Sequence, residues 1–234
     1  MDYQETLPFG RTDITPEYYR DQIDFNSALQ VLQKNDIQEP ETRLENFIVK
    51  VPELISWLDK HGNNYPWRYT VKDWDVYVAE ILLQRTHGSS VAKIYPDFIE
   101  RYSSPEEICK AEEEEIKESI RPLGMYNRKT KTLKDVGRIF KEEFGGEVPS
   151  SKEDLKRPWR AGNYVANATL LFARGKSTYL IDSNISAFVE AELDISISGQ
   201  PHKDEVMKEL MEALSPEEPS VCRSFYLSII DKEA

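Results

Sequence analysis

Glu80 lies inside Val76-Tyr77-Val78-Ala79-Glu80-Ile81-Leu82-Leu83, a stretch that is apolar on nearly every side. A lone carboxylate in such surroundings is expensive unless it is paired or put to use. Desolvation should raise its pKa and make it a proton carrier near neutral pH. The plainer alternative is a buried Glu satisfied by a nearby Arg or Tyr. Asp182 opens Asp182-Ser183-Asn184-Ile185, between a short extended segment and an apolar helix through Phe188, Val189 and Leu193. It reads as an N-cap. An Asp at a helix N-terminus stays ionised, and a fixed carboxylate can also stabilise a developing cation, so the two roles are compatible.

Two further segments have the chemistry to meet phosphate. Gln84-Arg85-Thr86 lies where the apolar stretch reaches its polar end, although an ordinary helix terminus has the same look. Pro158-Trp159-Arg160-Ala161-Gly162-Asn163-Tyr164-Val165-Ala166-Asn167-Ala168 is a tight turn that opens an apolar helix. Free N–H groups and the positive dipole end make such a terminus a seat for an anion, and Arg157 and Arg160 add charge beside it. A plain loop-to-helix junction is the alternative. His61, His87 and His202 have no ligand-like spacing, so no metal site is expected. There is no Gly-rich nucleotide loop and no nucleophile-elbow Ser.

The elements that must position these residues are helical nearly throughout. Leu44, Phe47, Ile48, Val51, Leu54, Ile55 and Leu58 recur at three- and four-residue steps, with Pro52 as an expected break or kink. Trp74 to Leu83 is almost wholly apolar. Val91 to Ile99, Leu133 to Phe144, Val165 to Phe172 and Val206 to Leu214 repeat the helical spacing. Ser104-Pro105 starts one helix and Gly145-Gly146 stops another. Only Ser177 to Ile181 reads as extended, so an all-α fold is expected. Residues 1–43 are polar, with no firm pattern until about Phe25, and stand as an extension of unknown role.

A chain of 234 residues can bury one sizeable core or two small lobes sharing it. No apolar run approaches the roughly 20 residues of a membrane span. The first residues lack the features of a signal peptide. Cys109 and Cys222 are far apart and read as reduced thiols of a cytoplasmic protein. The net charge of −12 opposes a polyanionic ligand. Its distribution softens that objection: residues 106–118 carry −5, residues 121–138 carry +5 and residues 152–176 carry +4. One face of a bipolar molecule is then able to meet phosphates.

Six short motifs follow one another in order. They are Pro66-Trp67-Arg68, Glu80-Ile81-Leu82-Leu83-Gln84-Arg85-Thr86, Leu123-Gly124-Met125-Tyr126-Asn127-Arg128-Lys129, Gly145-Gly146-Glu147-Val148-Pro149, the turn from Pro158 to Ala166, and Ile181-Asp182-Ser183-Asn184. Each alone is weak. Together, over about residues 64–195 with a fainter echo at 203–231, they resemble the helix-hairpin-helix (HhH-GPD) DNA glycosylase superfamily. The branch is that of the MutY and archaeal thymine–DNA mismatch glycosylases without an iron–sulfur cluster.

The resemblance implies two helical lobes of the endonuclease III type with a cleft between them. Residues 44–85 with 181–234 would form the terminal lobe, and 86–180 the lobe with a degenerate hairpin. Asp182 matches the Asp that stabilises or captures the sugar cation, and Glu80 the carboxylate that assists the leaving base. Tyr164 stands where bifunctional members carry a nucleophilic Lys, so no Schiff base can form there and a monofunctional enzyme is implied. Arg85 matches the side chain inserted where the target nucleotide leaves the stack. Gln84, Arg128, Lys129, Arg160, Gly162 and Asn163 complete the DNA-facing set. The implied partner is double-stranded DNA, bound by a monomer in the cytoplasm (at the nucleoid of a prokaryote), with no membrane involved.

Three departures qualify the match. Pro-Trp-Arg-Ala-Gly stands where the family has Leu-Pro-Gly-Val-Gly, so the charge of Arg160 is a candidate replacement for the monovalent cation bound there in family members. No four-Cys cluster follows the last helix, so no iron–sulfur cofactor is expected. No added domain of the adenine-glycosylase kind follows either. These absences favour thymine or uracil opposite guanine as the target. Adenine excision and excision of a modified base remain the alternatives within the class, and a catalytically silent DNA-binding or interaction module is the alternative outside it.

Overall fold

Apolar side chains at helical spacing become helices wherever the chain carries them. The computed structural model describes residues 8–197 and 199–232, and no β-strand occurs among them. The all-α expectation holds. No helix among the described residues is long and apolar enough to cross a membrane. Contacts group the chain into two compact units. One holds the described residues up to Asn63 and from Gly175 onward, and the other is Asn64–Arg174. The division falls elsewhere than at 85/86 and 180/181, because the helix bearing Glu80 packs within the middle unit.

The terminal unit begins with α1 (Pro16–Asp21), α2 (Phe25–Lys34) and α3 (Pro40–His61). Thr15 and Asp24 cap the first two, accepting from Tyr18 N at 3.2 Å and Ser27 N at 3.0 Å. Residues 8–43 are therefore integrated rather than appended: Tyr19, Ala28 and Leu32 are fully buried. Gly10 has φ +89°, and a Cβ there would lie 2.1 Å from the Ser220 carbonyl oxygen. Only glycine permits that approach.

The break expected at Pro52 does not occur, and α3 runs through it. A helix-interior Pro costs about 3 kcal/mol. Leu44, Phe47, Val51, Ile55 and Leu58 are fully buried on one continuous stripe spanning it, and each is worth about 1.5–3 kcal/mol. The stripe wins.

The middle unit contains α4 (Asp73–Leu83), α5 (Gly88–Arg101), α6 (Pro105–Lys110), α7 (Glu113–Ile120), α8 (Tyr126–Phe144), α9 (Lys152–Leu155) and α10 (Asn163–Phe172). A helix apolar all round belongs inside, and α4 is packed by α5, α8 and α10. Its polar handles are satisfied: Trp74 Nε1 donates to Tyr102 O at 2.7 Å and Tyr77 OH to Leu155 O at 2.8 Å. Arg174 grips Asp73 with two bonds, at 3.0 and 2.7 Å.

The chain returns to the terminal unit through residues 175–182. The expected extended stretch from Ser177 to Ile181 pairs with no strand, and Leu180 and Ile181 are buried as core. Then come α11 (Ser183–Leu193), α12 (Glu205–Leu214) and α13 (Pro219–Lys232). Helix α3 packs on α1, α11 and α13. Tyr19, Phe47, Phe188 and Phe225 meet there, with ring centroids 5.8–6.5 Å apart.

Candidate active site

Glu80 is buried on α4, one turn before the helix ends, with 5% of its surface exposed. Its charge is felt at Tyr95, whose hydroxyl is pushed well above its usual pKa, first by burial and then by Asp75 and Glu80. Beyond Glu80 the helix needs partners for its last carbonyls. Lys129 supplies them, donating from Nζ to Gln84 O at 2.7 Å, Leu82 O at 2.9 Å and Ile81 O at 3.5 Å. Burial lowers the Lys129 ammonium to about 8.

Lys129 thus departs from its expected place on the DNA-facing surface. It is 3% exposed and serves the protein's own main chain. Lys134 does the same for α6, donating to the carbonyls of Ile108, Cys109 and Ala111 at 2.8–3.1 Å. Gln84 is half-exposed, with Nε2 donating to Arg160 O at 3.1 Å. Thr86 Oγ1 donates to Leu123 O at 3.2 Å. Arg85, between them, is exposed and held at φ +53°. Three separate motifs, at 84–86, 123–129 and 158–160, are therefore joined within one unit. Arg128 lies exposed on the first turn of α8.

The 158–162 turn is held from both sides. Ala161 N donates to Pro158 O at 3.0 Å, and Trp159 N donates to Asp135 Oδ2 at 2.7 Å. Arg160 takes φ +65°. Its guanidinium carbon lies 4.9 Å from the centroid of the Trp159 ring, and Lys131 Nζ lies 4.5 Å from the same ring. Gly162 and Asn163 are exposed at the start of α10, with half-buried Tyr164 next on the helix. Gly162 has φ −82°, and a Cβ added there meets no atom within 4 Å. Neither its torsion nor its packing requires glycine.

Positive charge already stands beside this turn, which disfavours a metal cation there. The carbonyls of Pro158, Arg160 and Gly162 already accept hydrogen bonds, from Ala161 N, Gln84 Nε2 and Ala166 N. Two fixed positive side chains flank the adjacent ring. Lys131, Trp159 and Asp135 were not singled out by sequence reasoning. Their signal was an aromatic–basic pair in a turn following a basic helix.

Asp182 belongs to the terminal unit and caps α11, accepting from Ile185 N at 2.8 Å. The N-cap expectation is met. Burial raises its carboxyl above the usual range, against the opposing pull of the Ile185 and Asn184 N–H groups.

The described residues thus form two all-α units, one with a buried Glu and a basic turn at a helix N-terminus, the other with a capping Asp. Residues 78–216 match the HhH-GPD superfamily of base excision DNA repair proteins, and the chain belongs to that family. It is 33% identical over 180 residues to a thymine-DNA glycosylase of Aeropyrum pernix, covering 76% of this chain and 81% of the relative. It is 33% identical to a thymine/uracil-DNA glycosylase of Pyrobaculum aerophilum, with 76% and 78% covered. Among solved structures, a thermostable thymine-DNA glycosylase superposes with a TM-score of 0.71 at 27% identity, over 80% of this chain and 85% of that one. An endonuclease III–DNA complex shares the fold at a TM-score of 0.64 and 17% identity.

Proposed function

We propose that this chain is a monofunctional DNA glycosylase that excises thymine or uracil opposite guanine and leaves an abasic site. It acts as a monomer on double-stranded DNA. Asp182 carries the reading, as a half-buried carboxylate fixed on the N–H groups of α11. A preorganised anion of this kind stabilises positive charge that develops at a sugar C1′. The C1′–N bond breaks and its electron pair leaves with the base, assisted by Glu80. Water then adds to C1′ and releases its proton. Tyr164 offers no amine, so the sugar is not captured as a Schiff base and the strand stays intact. Arg85, exposed at the tip of the 84–86 turn, fills the gap left in the stack. The relatives named for thymine and uracil support the choice of base over most of the chain.

The test is a strand-cleavage panel. Labelled duplexes with T·G, U·G, A·G, A·8-oxoguanine and modified cytosines are incubated with the protein and then heated with or without alkali. Alkali-dependent cleavage of T·G and U·G is expected. Cleavage without alkali would refute the role of Tyr164, and cleavage of the A·G duplex alone would move the assignment to adenine.

A further inference from the structure

We infer that Lys131, Trp159 and Arg160 form a metal-free phosphate grip, in which side-chain charge does at the 158–162 turn what a bound alkali cation would otherwise do. The inference rests on the reading of this chain as a DNA-binding enzyme and names how that surface holds the backbone.

Both cations lie within the roughly 6 Å over which a ring face attracts positive charge, at 4.5 Å for Lys131 and 4.9 Å for Arg160. One indole therefore has two positive groups within reach of its ring. The ring itself is 37% exposed. Its main chain is anchored to Asp135, which also pairs with Arg138 at 2.8 Å. That acid is turned to the main-chain N–H and to Arg138. Among the described residues no carboxylate pairs with Lys131 or Arg160, whereas Arg157 pairs with Glu143 and Arg174 with Asp73. The charge of the first two remains available to a ligand. Beside them, open space at Gly162 leaves the main chain accessible to an oxyanion.

A metal would compete for the same place on worse terms. It would have to sit beside the positive charges of Lys131 and Arg160, which already stand at the Trp159 ring. The occupant of matching chemistry is a backbone phosphate of duplex DNA. Arg160 bears its side chain in a left-handed conformation that glycine adopts without strain, so removing that side chain should help the fold while harming the grip.

Binding of the full chain to a labelled undamaged duplex is measured by anisotropy across a salt series. Sodium, potassium and tetramethylammonium chlorides are compared at equal ionic strength. Wild-type affinity should agree within about twofold among the three salts. Arg160→Gly should lower affinity and make the salt slope shallower by about one, while its melting temperature stays level or rises. Lys131→Ala should flatten the slope similarly without that rise. A wild-type loss of about tenfold or more in tetramethylammonium, or unchanged slopes in both variants, overturns the inference. The expected slopes without product in the cleavage panel would leave the grip standing and remove the glycosylase reading. No duplex binding in any salt would overturn both.

Discussion

Asp182 is asked to be a charge and a cap at once, and the two demands can be separated. Burial raises its pKa, so the folded chain binds that proton more tightly than the unfolded chain does. Across the window between the ordinary and the raised value, folding takes up a proton. The ionised group therefore weakens the fold at neutral pH, and acidification relieves that cost. Asparagine keeps a capping oxygen without the charge. Asp182→Asn should abolish base release, by at least about 10²-fold, while its melting temperature at pH 7 equals or exceeds that of wild type. The gap in melting temperature should close as pH falls toward the ordinary carboxylate range. A variant that melts several degrees lower at pH 7 would show the carboxylate to be structural. The proposed role needs the ionised form, so activity should also fall on acidification, with an acid limb above the usual carboxylate pKa. Gly162 invites the converse substitution. Its φ suits any residue and its Cβ position is empty, so Gly162→Ala should melt like wild type and bind duplex more weakly. Unaltered affinity would mean that nothing approaches that atom.

At the scale of elements, α4 shows what sequence reading recovers and what it misses. Its all-round apolar pattern announced a buried helix, and the Ser104 start and the Gly145 stop were equally plain, because each rests on local chemistry. Helix α1 was hidden because six residues with a single buried side chain leave no period to detect. The fate of the basic residues on α8 was hidden for another reason. Arg128 faces solvent, and Lys129 beside it is buried against the carbonyls that end α4, a difference set by a tertiary neighbour. Lys129→Met should strip Leu82 O of its Lys129 bond, while Ile81 O keeps Gln84 N and Gln84 O keeps Thr86 Oγ1, and cost about 1–3 kcal/mol at pH 7. The pH dependence has a definite sign. Burial lowers this group from 10.5 to about 8, so the unfolded chain holds the extra proton between those values and wild-type stability rises with pH there. Denaturant melts should find the gap between wild type and Lys129→Met wider at pH 9.5 than at pH 7. A constant or narrowing gap would contradict burial as the dominant influence on Lys129.

For the molecule as a whole, a net charge of −12 has to be reconciled with a polyanionic partner. The two basic segments carry twelve cations between them, of which Arg157 and Arg174 are held by Glu143 and Asp73. The structure reduces the offer further. Lys129 and Lys134 cap helices, Arg121 pairs with Glu118, and Arg138 pairs with Asp135 and Glu142. In the middle unit Arg85, Arg128, Lys131 and Arg160 remain exposed among the residues argued to meet DNA. Neutralising about four phosphates gives a slope of log affinity on log salt near −3.6. Raising salt from about 50 to 200 mM should then weaken duplex binding roughly 150-fold. A protein with so few engaged cations and so much negative charge elsewhere should bind undamaged DNA only transiently at physiological salt. Its residence at a mismatch would come from the flipped base rather than from the backbone. A measured slope near −8 would show that cations beyond these four take part, and would shift the search for the DNA surface to the basic residues of the terminal unit.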